Sequence, residues 1–260
     1  MEIVVLPDPD AVARLAADVV DALLRARPDA VLGLATGSTP LRLYAELRRR
    51  HHEAGLSFAR ATAFLLDEYV GLPDGHPQRY HAVIDHELTD RVDLRPGSVH
   101  APDGNAADVP AECARYDAAI RVAGGVDVQV LGIGGDGHLG FNEPGSSLAS
   151  RTRIKTLTAR TRRDNARFFD DPDDVPHHVL TQGLGTILEA RHLLLLATGG
   201  SKADAVAAAV EGPLSASCPA SALQLHPHAS VLLDEGAAKG LARAAYYREV
   251  YAGKPAWQGL

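Results

Sequence analysis

Two segments carry acid and imidazole groups in settings suited to proton transfer. Leu66-Asp67-Glu68-Tyr69 closes the apolar run that begins at Thr62, which puts two carboxylates at the carboxyl end of a buried strand. A carboxyl group partly stripped of water has a raised pKa, and that makes it a better base near neutral pH. An acid pair at a strand end also serves as a helix cap or an ion-pair partner, and the residue types leave these uses open. The second segment, Val130–Pro144, reads VLGIGGDGHLGFNEP and places Asp136, His138 and Glu143 in a glycine-rich loop after a strong apolar strand. An imidazole held between carboxylates can shuttle protons near neutral pH. Gly132, Gly134 and Gly137 spell G-x-G-x-x-G. Gly140, Pro144 and Gly145 interrupt any following helix, however, and Ile154–Thr158 holds no acid for a ribose, so a dinucleotide site is not indicated.

A second kind of chemistry, anion binding, is written twice. Val31–Pro40 (VLGLATGSTP) runs from an apolar strand through a small-residue turn into a helix, with Pro40 suited to the first helical position and Ser38 or Thr39 to the cap. The amides and hydroxyls of Thr36, Gly37, Ser38 and Thr39 suit a phosphate, although a plain capped turn has the same composition. Leu195–Lys202 (LLATGGSK) repeats the design and opens a helix with a cation. The macrodipole disfavours a cation there, which points to an anion beside Lys202; a solvated lysine is the alternative. Neither segment is G-x-x-x-x-G-K-[ST], so a P-loop is not indicated. Between Arg151 and Arg167 stand seven cations, Arg151, Arg153, Lys155, Arg160, Arg162, Arg163 and Arg167, opposed only by Asp164. Such a block suits anionic ligands, a solvated loop, or a subunit contact paired with acids such as Asp170–Asp174. The remaining histidine pairs, His51-His52, His177-His178 and His226/His228, lack companions at metal-ligand spacing and read as surface or turn residues.

These groups need a scaffold that brings strand ends together. Apolar runs at 3–6, 31–35, 62–66, 126–133, 192–198 and 231–234 alternate with helical patterns at 10–27, 40–54, 78–88, 109–123, 202–211 and 237–247. Strand–helix alternation predicts an α/β fold: a three-layer α/β/α sandwich around a mostly parallel, Rossmann-like open sheet, with ligands beyond the carboxyl ends of the strands. The 260 residues are expected to form a single catalytic domain, with residues 140–182, rich in Gly, Pro, Arg and Asp, as an excursion acting as a lid. The composition, 46% hydrophobic and 23% charged, is that of a folded protein, and the net charge of −7 argues against a nucleic-acid binder. Cys113 and Cys218 have no C-x-x-C partner, so neither a metal cluster nor a disulfide framework is expected. The first residues lack the pattern of a signal peptide, and no run of about 18 apolar residues suggests a membrane span, so the expected compartment is the cytoplasm.

With these segments in view, the sequence resembles the glucosamine-6-phosphate deaminases over nearly its full length. The motifs that carry the resemblance are LATGSTP (Leu34–Pro40), LDEYVGLP (Leu66–Pro73), GIGGDGHLGFNEPGSSLASRTR (Gly132–Arg153), ARFFD (Ala166–Asp170) and LQLHP (Leu223–Pro227). A sister family, the 6-phosphogluconolactonases, shares the fold and a DGH-type loop, but not the FNEP continuation. The resemblance implies that glucosamine 6-phosphate is converted to fructose 6-phosphate and ammonia without a metal or redox cofactor. It implies Asp67 as the base that moves the C2 proton to C1, and His138, held by Asp136 and Glu143, as the group that opens the pyranose ring. Thr36–Thr39, Arg167 and Lys202 would hold the 6-phosphate. It also implies a homo-oligomer, a hexamer in some members, activated by N-acetylglucosamine 6-phosphate; the matching positions are Ser146, Arg153, Lys155, Thr156 and Tyr246. The competing readings are a sugar-phosphate hydrolase of the lactonase type and a sugar-phosphate sensor without catalysis.

Overall fold

The computed structural model describes residues 1–260 except Ala256 and the side chains of Arg160 and Asp164, so these two members of the charged run lie outside the described residues. In chain order the elements are β1 (Glu2–Leu6), α1 (Pro9–Ala26), β2 (Val31–Leu34), α2 (Ser38–Ala54), β3 (Thr62–Leu65), β4 (Asp67–Tyr69), α3 (Tyr80–Glu87), β5 (Val99–His100), α4 (Val109–Val122), β6 (Val128–Leu131), β7 (Arg153–Thr156), α5 (Ala159–Asn165), β8 (His178–Thr181), α6 (Leu184–Ile187), β9 (His192–Ala197), α7 (Ala203–Val210), β10 (Ala229–Asp234) and α8 (Ala244–Ala252).

Seven strands form one sheet in the order β1-β10-β9-β6-β2-β3-β5, and every pairing in it is parallel. Alternation along each strand sends its side chains into two cores. Leu32, Leu34, Val128, Val130, Leu194, Leu196 and Leu232 face α1 and α2, which contribute Val12, Ala16, Val20, Leu43, Tyr44 and Leu47. Val31, Leu131, Leu193, Leu195, Val231 and Leu233 face Tyr116 and Ile120 of α4, Leu184 of α6 and Val206 of α7. Burial on both faces explains why the strands are near-continuous apolar runs. The flanking helices start where the sequence carries caps: Asp8 accepts from the Ala11 amide at 2.7 Å and Asp108 from the Ala111 amide at 3.0 Å.

The winding direction reverses between β2 and β6. From β2 the chain moves outward through β3 to β5; from β6 it moves the other way through β9 to β10. The loops after β2 and β6 therefore lead away in opposite directions from adjacent carboxyl ends, the switch point at which open α/β sheets bind their ligands.

Three features depart from the sequence-based expectation. The run ending at Leu66 is two strands: Leu66 donates to the Leu34 carbonyl at 2.9 Å, and from Asp67 the chain turns into a separate antiparallel sheet of order β4-β8-β7. The stretch 140–182 accordingly contains two strands, too short for a legible period, around α5 and two 3-10 turns. The last helix is displaced. Ala237–Gly240 is a 3-10 turn and α8 starts at Ala244, because Gly240 lies so close to α7 that a Cβ would stand 2.7 Å from the Ala203 carbonyl oxygen. No helix among the described residues is long and apolar enough to cross a membrane.

Candidate active site

Asp67 and Glu68 are both buried, and the fold assigns them opposite tasks. Glu68 is fully enclosed and accepts from the amides of Tyr69 (2.8 Å), Tyr80 (2.9 Å) and His81 (3.0 Å), with the Arg79 guanidinium 3.8 Å away. It supplies the N-terminus of α3 with the acceptor that the sequence there lacks. Alternation along β4 turns Asp67 the other way. Among the described residues nothing donates to its carboxylate, although the group is 5% exposed. Burial, and secondarily the charge of Glu68, push its pKa from 3.8 up to about 8. The helix-cap use left open by the residue types thus belongs to Glu68, and Asp67 is the carboxylate free for chemistry.

The loop after β6 is folded around the His138 ring. A Cβ on Gly134 would fall 2.2 Å from His138 Cε1, and the Gly134 amide donates to the His138 carbonyl at 3.0 Å. Gly137 has φ +84°, and a Cβ there would meet Cys218 Sγ at 2.6 Å. Two of the three glycines of the G-x-G-x-x-G spelling therefore make room for an imidazole and a tight turn. His138 Nδ1 lies 2.7 Å from Asp136 Oδ1 and 3.8 Å from Glu143 Oε2, a close charge contact without the alignment of a hydrogen bond. Burial works to raise the Asp136 pKa, but the adjoining His138 and a side-chain contact with Glu143 together outweigh it and the net shift is downward. An acid kept ionised on one side of the ring leaves Nε2 as the nitrogen that exchanges protons.

One pair of residues anchors both centres. Thr181 is the register partner of Asp67, and its Oγ1 accepts from the Phe141 amide at 3.2 Å. Gln182 donates through its backbone to Leu66 (2.9 Å) and through Nε2 to the Leu65 carbonyl (3.0 Å), while its own carbonyl accepts from Asn142 Nδ2 at 2.8 Å. Thr181, Gln182 and Asn142 were not found from sequence; they are uncharged, and only strand pairing reveals their use. Tyr44 of α2 ties in the third side: its hydroxyl donates to Ala35 O at 2.7 Å, accepts from Ala35 N at 3.1 Å, and lies within electrostatic reach of Asp67.

The two small-residue turns meet across the end of β6. Thr39 Oγ1 and Thr198 Oγ1 are 3.3 Å apart. Helix α2 begins at Ser38, earlier than the sequence indicated, with Gly37 at its cap in a left-handed conformation (φ +118°). Neither Ser38 nor Thr39 caps it, and no acid stands in its first turn, so their hydroxyls and the first amides are available to an anion. Gly199, also left-handed (φ +87°), donates its amide to both oxygens of Asp234 (2.9 and 3.0 Å), which holds the second turn, and Lys202 closes that turn before α7. Arg167 is exposed, with its guanidinium 4.7 Å from the centre of the Phe168 ring, and among the described residues no hydrogen bond joins it to either turn.

The model of the glucosamine-6-phosphate isomerase and 6-phosphogluconolactonase family matches residues 9–232. The chain belongs to this family. It is 65% identical over 260 residues, the whole of both chains, to the glucosamine-6-phosphate deaminase of Arthrobacter sp. (strain FB24), and 62% identical, again over all of both chains, to that of Mycolicibacterium smegmatis. Among solved structures, a monomeric glucosamine-6-phosphate deaminase superposes with a TM-score of 0.90 at 43% identity, covering 92% of this chain and all of that one. The 6-phosphogluconolactonase from Trypanosoma cruzi superposes at 0.75 with 20% identity over 93% of this chain and 97% of its own, a likeness of fold.

Within this family fold the other residues singled out from sequence are spread more widely. Arg153, Lys155 and Thr156 lie on β7. Arg153 is half-buried, its nearest acceptor the Arg151 carbonyl at 3.3 Å, and burial lowers its pKa. Ser146 is buried with its hydroxyl unpartnered. Tyr246 stands exposed on α8, which packs on β1, away from β7. Arg151 is taken up by Asp117 (3.2 Å) and Glu189 (2.5 Å) and serves the scaffold. His226, expected as a surface or turn residue, is buried in the turn before β10, with its ring nitrogens 2.7 Å from the carbonyls of His228 and Ala190. A cavity of about 760 Å³ lies at the opposite end of the sheet, between α1, the strand starts at Val128 and His192, and the carboxyl-terminal residues.

Proposed function

We propose that this protein converts glucosamine 6-phosphate and water to fructose 6-phosphate and ammonia, as the names of its full-length relatives indicate for them. The observation that carries the assignment of roles is the buried, unpartnered carboxylate of Asp67, fastened through Thr181 and Gln182 to the loop that holds His138. His138 moves a proton between O1 and O5 and opens the ring, with Asp136 and Glu143 supporting the imidazolium. Asp67 takes the C2 proton and returns it to C1; the ketimine formed adds water and loses ammonia. An internal proton shift of this kind calls on neither metal nor redox cofactor. Thr36, Gly37, Ser38, Thr39 and Lys202 hold the 6-phosphate, with Arg167 joining when the segment between β7 and β8 closes. Fixing the phosphate converts binding into orientation of C2 at the base.

That segment is the working part of the excursion 140–182. It acts as a lid, because water exclusion favours proton transfer. The hydroxyl of Ser146 and the guanidinium of Arg153, each short of partners, support an activator site for N-acetylglucosamine 6-phosphate together with Lys155, Thr156 and, from a neighbouring subunit of a hexamer, Tyr246. The setting is cytoplasmic amino-sugar breakdown.

The experiment is to add glucosamine 6-phosphate to the purified protein and measure ammonia and fructose 6-phosphate. Hydrolysis of 6-phosphogluconolactone without ammonia release would overturn the assignment. Rate against substrate with and without the acetylated sugar phosphate, alongside the mass in solution, tests activation and assembly. A monomer with an unchanged hyperbolic curve would reject both.

A further inference from the structure

Glu143 has two carboxylate oxygens, and the fold gives them different neighbours. Oε2 faces His138 Nδ1 at 3.8 Å. Oε1 accepts a hydrogen bond of 2.7 Å from the hydroxyl of Thr161. Thr161 is not part of the glycine loop. It lies in the first turn of α5, inside the segment that links β7 to β8. Thr158, the cap of that helix, lies 2.9 Å from the Thr161 hydroxyl through its own Oγ1, which also accepts the Thr161 amide at 3.1 Å. The carboxylate is the stronger acceptor, so the Thr161 proton goes to Glu143 and the Thr158 proton goes to Thr161. A line of hydroxyls thus runs from the start of α5 to the back of the His138 relay.

The same segment is fastened elsewhere by separate contacts. Arg162 Nε donates to the Val175 carbonyl at 3.1 Å, and Phe169 packs edge-on against Tyr69 and stacks on His76. None of these touches the relay. Among the described residues, Thr161 is therefore the point at which the segment's position is communicated to a group in contact with the imidazole.

We propose that Thr161 is a positioning residue that makes the His138 relay conditional on the β7–β8 segment being seated. Only with α5 in place does its hydroxyl hold Oε1 and so direct Oε2 at His138. With the segment lifted, Glu143 loses the anchor on Oε1 and ring opening slows. This rests on the deaminase reading given above and adds to it the coupling between closure and proton transfer.

The test compares the unaltered chain with Thr161→Val and Thr161→Ser in the ammonia assay. Valine keeps the shape and removes the hydroxyl. It is expected to lower kcat roughly 10- to 100-fold, the worth of a hydrogen bond to a charged group, while KM changes less than twofold. Serine restores the hydroxyl and is expected to retain at least about half of kcat. A valine variant within twofold of the unaltered kcat would overturn the proposal, and so would a serine variant that falls as far as valine, since shape rather than the hydroxyl would then be at work. If the unaltered chain releases no ammonia, the functional reading fails and this inference with it; if it does and valine is neutral, this inference alone fails.

Discussion

Replacing Asp67 by Asn should stabilise the fold while removing activity, and the stabilisation should depend on pH in a way worked out from the site. Burial and the neighbouring Glu68 charge move the Asp67 pKa from 3.8 to about 8. An acid raised in this way holds its proton in the folded state after the unfolded chain has released it. The folded chain therefore loses stability as pH rises from about 4 to about 8, and the loss is complete above that. At about 1.36 kcal/mol per pH unit the whole effect is on the order of 6 kcal/mol. Asn carries no charge and has no such dependence, so its constant costs, including any unpaired amide, cancel when two pH values are compared. Between pH 5 and pH 8.5 the stability of the variant relative to the unaltered chain should rise by about 4 kcal/mol. Urea unfolding followed by circular dichroism at pH 5, 6.5 and 8.5 measures it. Ammonia release should fall by at least about 10²-fold at every pH. In the unaltered chain kcat/KM should climb to a plateau above pH 8, with about one tenth of the plateau at pH 7. A stability gap that stays constant with pH would refute the claim that a desolvated carboxylate sits at this position. Normal ammonia release by the variant would refute its role as base.

Two further substitutions probe the supports of the site. Gly134→Ala places a methyl where the His138 ring lies, 2.2 Å from Cε1, so the ring must swing aside; kcat/KM should drop about 10²-fold with the unfolding midpoint little changed, and a fully active variant would show that the ring position is not needed. Glu68→Ala strips the shared acceptor from the amides of Tyr69, Tyr80 and His81, and urea unfolding at pH 7 should show a loss of roughly 3–5 kcal/mol; a change under about 1 kcal/mol would mean that α3 is held by other contacts.

Much of the architecture was legible because its signals are local. The apolar spacing of α1 and the uninterrupted apolar strands each depend on residues a few positions apart, and they locate the helices and the central parallel sheet. The acid–imidazole loop was legible for the same reason: Asp136, His138 and Glu143 are close in the chain, and their contacts are made within it. What required the tertiary structure is whatever depends on distant segments. Asp67 and Glu68 are adjacent and chemically alike, and only the approach of α3 decides that one caps a helix while the other stays unpartnered. The antiparallel sheet pairs β4 with β8 across 110–114 positions of chain and β7 with β8 across 22–28, through strands of three or four residues, too short to show a period. The meeting of Thr39 with Thr198, and of Thr161 with Glu143, follows from the order in which strands are laid beside one another. Spacing along the chain determines which groups are available; packing determines which of them lose water and which find a partner, and those two outcomes set their chemistry.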